Sequence, residues 1–180
     1  MNKKRGMRCN QKGQVWIETV IYTLIAFVMM GLILSYAKPK IEEIQDNTIL
    51  KQSTEMMKEI DSTILTMGVA GNKRLIEIGI KKGNLIIKSS EDKIIFEMES
   101  KSVYSEPGKV INDGSVKVVT QEKSGYHTVT LTLDYDNKYN IQFNEEEQDK
   151  TISKASTPYK LSISNEGNVA GEIVMDITLI

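Results

Sequence analysis

One carboxylate, Glu18, stands at the head of an otherwise uncharged run, TVIYTLIAFVMMGLILSYA from Thr19 to Ala37. Five cations, Lys3, Lys4, Arg5, Arg8 and Lys12, precede Gly13 with no acid among them, and none follows before Lys38. Hydropathy asks for no acid at this place. A carboxylate at the edge of hydrocarbon is costly unless it finds a partner, so its chemistry is that of an ion-pairing group. Its bland alternative is an interfacial acid near the headgroups with no partner.

The remaining candidates are sparse. His127 is the single histidine and sits in an alternating stretch with Thr, which predicts a solvent-facing side chain. Asp134-Tyr135-Asp136 holds a short acidic pair beside a turn, which serves turn chemistry more often than calcium. Glu145-Glu146-Glu147 reads as a solvated face. Met29-Met30 and Met56-Met57 read as helix filler, not as a metal site. The one cysteine, Cys9, lies in the basic segment, so the chain after Gly13 has neither disulfide nor cysteine-ligated metal. No phosphate-binding glycine loop and no nucleophile–histidine set is present. The expected class is therefore not an enzyme, with no cofactor and no metal.

The elements that position Glu18 come next. A bilayer span needs about 20 apolar residues at about 1.5 Å each, and Val15–Ala37 supplies them. The run exceeds the apolar core of an ordinary secretory signal, although Ser35-Tyr36-Ala37 is a weak small-x-small cleavage site. The cation bias predicts a cytoplasmic N-terminus, with residues 38–180 outside. Trp16 falls at the cytoplasmic interface, where Trp commonly anchors helices.

Basic leader, Gly13, Gln14, Glu18 five residues after Gly13, then an unbroken apolar helix: this order resembles a type IV pilin-like precursor with a class III signal peptide. Lys12-Gly13-Gln14 is most similar to the archaeal style of junction, although Trp16 stands where such chains often carry Ser. The resemblance covers about the first third of the chain. It implies cleavage between Gly13 and Gln14 by a membrane-embedded prepilin peptidase on the cytoplasmic side. The helix then remains as anchor or filament core. It further implies that Glu18 pairs with the new amine of Gln14 on a neighbouring subunit, which fixes the stagger between neighbours.

Composition bounds the rest. The whole chain carries 23 basic and 24 acidic residues. Loss of residues 1–13 removes five cations and no acid, which leaves 18 basic against 24 acidic residues, a net −6. An acidic surface without a Lys/Arg tract argues against a nucleic-acid partner. The expected partners are the peptidase, like subunits through their N-terminal helices, and the membrane. No Asn-x-Ser/Thr sequon occurs.

Beyond Ala37, Lys38-Pro39-Lys40 marks the outer membrane edge, with a kink expected at Pro39. The helix is expected to resume, with Ile41, Ile44, Thr48, Met56, Ile60, Ile64 and Met67 on one face. Glu42, Glu43, Asp46, Lys51, Glu55, Lys58, Glu59 and Asp61 are placed on the other sides. Gly68 and Gly71-Asn72 terminate it. From Arg74 onward the pattern is strand. Leu75–Ile80, Leu85–Lys88 and Lys93–Glu99 read as a three-strand meander. Strands at 115–121, 126–135, 138–143, 159–164 and 171–179 follow, with loops at 145–149 and 165–168. Eight or nine strands in all favour a sandwich or a curled sheet. The expected architecture is α+β: a leader over 1–13, a membrane or filament-core helix over 14–37, an amphipathic continuation over 38–71, and a mainly antiparallel β-sandwich-like extracellular domain over 72–180.

Two functions fit. One is a structural subunit of a cell-surface filament, with a possible role in adhesion. The other is a single-pass, membrane-anchored β-domain that binds a ligand, or a minor pilin-like component that does not polymerise. Gln14 and Glu18 favour the first, because a plain anchor requires neither.

Overall fold

The computed structural model describes residues 11–169 and 171–180, with side chains from Val15 onward. Helix α1 spans Gln11–Leu65. Ten strands follow: β1 (Lys73–Ile78), β2 (Asn84–Lys88), β3 (Lys93–Ser100), β4 (Val110–Asp113), β5 (Val116–Lys123), β6 (Tyr126–Asp134), β7 (Tyr139–Phe143), β8 (Lys150–Ser153), β9 (Tyr159–Val169) and β10 (Glu172–Leu179). They form a four-stranded sheet, β1-β9-β10-β7, and a six-stranded sheet, β4-β5-β6-β3-β2-β8. The architecture is α+β, a long helix followed by a sandwich-like pair of largely antiparallel sheets. Among the described strands, only β10 and β7 run parallel. The chain divides into two compact units at Ile41/Glu42.

Within Glu42–Ile180, alternation builds the core. Leu85 and Ile87 of β2, Ile94, Phe96 and Met98 of β3, and Val129, Leu131 and Leu133 of β6 point inward at every second position. Leu161, Ile163, Met175 and Ile177 do the same from the other sheet, and Leu50, Met57, Ile60 and Ile64 enter the same cluster from α1. The helix is thus part of the core, and its burial stabilises it more than its own propensity does.

The face that α1 buries differs from the expected stripe. Met56, Ile60, Ile64 and Met67 are buried as expected, but Ile41 and Ile44 are 52% and 59% exposed, and Thr48 is exposed too. The inward face runs Asp46, Leu50, Ser53, Met57, Ile60, Ile64 and Met67, at spacings of three and four. Asp46 and Asp61, placed by the sequence on the polar sides, are buried. Their partners make this tolerable. Asp46 accepts from Lys82 Nζ at 2.5 Å and from the backbone N–H of Lys101 at 2.7 Å. Asp61 accepts from Tyr135 Oη at 2.9 Å.

Asp46 therefore ties the helix to the approach to β2 and to the end of β3. Asp46→Ala should lower the unfolding free energy of residues 40–180 by about 2–3 kcal/mol, the scale of losing hydrogen bonds to a buried charge. The Lys82 side chain is 39% exposed and regains water, so a larger loss is not expected. A shift in urea midpoint with unchanged slope checks it. No shift would reduce Asp46 to a surface acid.

The helix end has no basic residue in its last turn. The carbonyls of the residues that leave it, Thr66 to Gly68, are satisfied from elsewhere in the fold. Asn72 Nδ2 donates to Met67 O, Asn165 Nδ2 donates to Gly68 O, and Arg74 donates to both the hydroxyl and the carbonyl of Thr66. Gly68, with φ +74°, makes the left-handed exit.

The expected three-strand meander is corrected in one particular. β2 and β3 form a hairpin, but β1 belongs to the other sheet and pairs antiparallel with β9. The Lys82-Gly83-Asn84 turn carries the chain from one sheet to the other. Gly83 has φ +86°, and a Cβ there would collide with the carbonyl oxygen of Glu97. Two edge strands, β4 and β8, lie where no strand was expected. The loop expected at 165–168 is instead the end of β9. His127 is half-buried rather than solvent-facing. It shares the parity of Val129, Leu131 and Leu133, and parity, not the nature of its neighbours, fixes the face.

Candidate membrane and assembly surface

Val15–Leu65 is the one helix among the described residues long and apolar enough to cross a membrane, and none of its most apolar stretch is buried. From Val15 to Tyr36 every side chain is exposed, including Trp16 at 72%. A hydrophobic surface of this extent, with Glu18 as its one charge, fits lipid or other apolar helices and not water. Two of its threonine hydroxyls are satisfied within the helix. Thr19 Oγ1 donates to Val15 O at 2.9 Å, and Thr23 Oγ1 donates to Thr19 O at 2.7 Å. Such back-bonding hides hydroxyls from hydrocarbon.

Glu18 lies on this surface, exposed, among Val15, Ile17, Ile21 and Tyr22. The backbone of Lys12, Gly13 and Gln14 is in α1, while their side chains lie outside the described residues. Lys3, Lys4, Arg5 and Arg8 lie outside them altogether. Pro39 is internal to α1, with helix assigned on both sides. Having no N–H, it cannot return a hydrogen bond to the carbonyl of Ser35.

In Glu42–Ile180 the acidic candidates are held in local structure. Asp134 accepts from Lys117 Nζ at 2.9 Å, and that ammonium holds its carboxyl below the usual range. Tyr135, between the two acids, is 2% exposed and turned inward to Asp61. Asn137, with φ +61°, closes the turn where Lys138 N–H meets Tyr135 O. Glu91 sits between Lys88 and Lys93, and these ammonium groups, Lys88 first, hold it down to about 2. Glu145 and its two acidic neighbours are exposed, but the turn is pinned, since Glu145 N–H donates to the buried Asp176 carboxylate at 2.6 Å. That anchor gave no sequence signal beyond an acid in an apolar strand.

Burial, then the facing Asp61 carboxylate, pushes the Tyr135 hydroxyl far above its ordinary value near 10. The folded state therefore keeps this proton while the unfolded chain loses it. The stabilisation is complete below the unfolded pKa and is lost as pH rises from about 10 toward the folded value. We expect Tyr135 to resist spectrophotometric titration until the domain unfolds at alkaline pH. Its ionisation in step with exposed tyrosines, with the fold intact, would contradict the Asp61 contact.

These features define a class: an α+β protein with one apolar N-terminal helix, compatible with a single-pass membrane anchor, and a β-sandwich-like domain built around the helix's continuation. No protein-family model, curated protein or solved structure matches the chain.

Proposed function

We propose that this chain is a pilin-like structural subunit of a cell-surface filament. It is made with a basic leader that a prepilin peptidase removes between Gly13 and Gln14. The observation that carries the reading is Glu18, a lone acid on a helix surface that is otherwise apolar. A plain anchor has no use for it. In a bundle of parallel helices it is balanced by the amine freed on Gln14 of the adjacent copy. An ion pair in low dielectric adds little net stability, but leaving the acid unpaired costs several kcal/mol. The pair therefore selects the stagger between copies.

In this reading the N-terminus begins on the cytoplasmic side, and the domain from Glu42 onward is displayed outside, available for adhesive contact. The role is structural and not catalytic. Imaging of surface filaments on cells with and without this chain tests the proposal. Filaments that vanish with the chain and contain it after shearing are the expected result. A processed chain that stays wholly in the membrane would favour the anchored binding module.

A further inference from the structure

Four strands end the two sheets: β1 and β7 in one, β4 and β8 in the other. An edge strand leaves unpaired N–H and C=O groups that another strand can take up, and most proteins blunt it. β1 carries Lys73, Arg74 and Glu77. On β7 the Asp92 carboxylate occupies the N–H of Ile141. On β8 the Ser153 carbonyl accepts from Tyr159 Oη. β4 has no such guard. Its centre, Val110-Ile111-Asn112, is uncharged and exposed.

The hydrogen-bond pattern shows which groups of β4 are open. Gly108 N–H donates to Thr120 O at 2.8 Å, so Thr120 turns its carbonyl toward β4. By alternation Val118 and Val116 do the same. Their opposites, Ile111 and Asp113, therefore bond inward to β5. Val110 and Asn112 aim their N–H and C=O away from the sheet, and among the described residues no other hydrogen bond reaches those groups.

The same segment is its own complement. Lys109 stands just ahead of β4, Asp113 ends it, and Ile111 lies midway. Laid antiparallel with Ile111 on Ile111, a second β4 sets Val110 opposite Asn112 and Lys109 opposite Asp113. The two Val110/Asn112 pairs then exchange hydrogen bonds, as their outward groups require. Ile111 meets Ile111 in a non-hydrogen-bonded pair, where side chains lie closest, and each cation meets an acid. A shift of one residue turns inward-bonded groups to the edge. A shift of two keeps the hydrogen bonds but sets Lys109 or Asp113 against Ile111. Within one chain Lys109 reaches Glu106 at 2.7 Å and Asp113 reaches Lys58 at 2.8 Å. Such surface pairs contribute little and exchange readily.

We propose that β4 is a docking edge for a second copy of this chain. The two strands pair antiparallel about a two-fold axis and join two six-stranded sheets into one. The contact is isologous and closes on itself. Copies along one polar filament are related by a screw, so within the filament reading this edge joins copies of separate filaments. It does not require that reading.

The test uses the full chain, solubilised in mild detergent, in a Cys9→Ser background with one cysteine placed at a time and copper–phenanthroline as oxidant. Ile111→Cys should give at least about tenfold more disulfide-linked dimer than Lys123→Cys, an exposed control at the end of β5, because opposed residues of a non-hydrogen-bonded pair lie within disulfide reach. With Lys109→Glu or Asp113→Lys added, the Ile111→Cys yield should fall about fivefold, since like charges then oppose each other at both ends of the pair. With both added it should recover. Recovery is diagnostic, because the double variant sets like charges beside Glu106 and Lys58 of its own chain, and only the second copy supplies opposite ones. A yield at Ile111 no greater than at Lys123, a maximum at Val110→Cys, or a double variant no better than the single ones would overturn the inference. Each of these outcomes leaves the filament proposal untouched.

Discussion

Gly13→Val leaves the precursor uncut. N-terminal sequencing of membrane-extracted wild type gives Gln14 as the first residue, and the variant starts at Met1. The reason is steric. A protease groove that accepts glycine next to the scissile bond has no room for a branched Cβ. Overpacking by an isopropyl group costs on the order of 3 kcal/mol, and each 1.4 kcal/mol on a barrier is a factor of ten, so cleavage should slow about a hundredfold. Insertion is unaffected, because the leader cations and the apolar run are intact. A wild-type start at Met1 would remove the prepilin reading. A start at Lys38 would replace it with ordinary signal cleavage after Ala37 and would take α1's apolar half off the mature protein.

Glu18→Gln lowers the ratio of sheared filament to membrane-resident subunit about tenfold to a hundredfold, with processing and insertion unchanged. The amide is isosteric and easier to hold in a bilayer, so an acid that merely rested at the interface would give a silent variant. An acid that balances the Gln14 amine of a neighbour cannot be replaced in this way. The substitution leaves that amine in low dielectric with a neutral partner, at a loss on the order of 1–3 kcal/mol per contact. At 1.4 kcal/mol per tenfold change, that moves assembly strongly. Equal filament yields at equal expression would strip Glu18 of its electrostatic role.

Much of this architecture was legible from the residues. The apolar run, the change from helical to alternating periodicity near Gly68–Asn72, and the strands at 115–121, 126–135 and 138–143 each have a local physical cause, and local causes are written in local sequence. Pairing is not local. β1 alternates like β2 and β3, yet its partner is β9, and nothing in Arg74–Ile78 names that partner. β8 carries one buried apolar residue, Ile152, too few to show a period. The buried carboxylates misled for a different reason. An acid reads as a surface residue until its partners are known, and those of Asp46 and Asp61 lie just beyond strand ends far along the chain. The stripe drawn through Ile41 and Ile44 rotated away from the true inward face for the same cause. The Glu18 region stands apart: its signal is a misfit, one charge where hydropathy wants none, and a misfit needs no tertiary knowledge to be seen.

Because one helix supplies both the apolar span and part of the domain's core, where the chain is cut decides what can be shed. Proteolysis near Lys38–Lys40 releases a body that keeps Leu50, Met57, Ile60 and Ile64 and so remains folded. Proteolysis after Leu65 releases ten strands stripped of the helix that fills their core, while the severed stump keeps an apolar face with nothing to cover it. A stable free ectodomain must therefore begin ahead of Leu50, and the loop at 66–72, though it lies outside regular structure, is a place where cutting destroys the domain instead of liberating it.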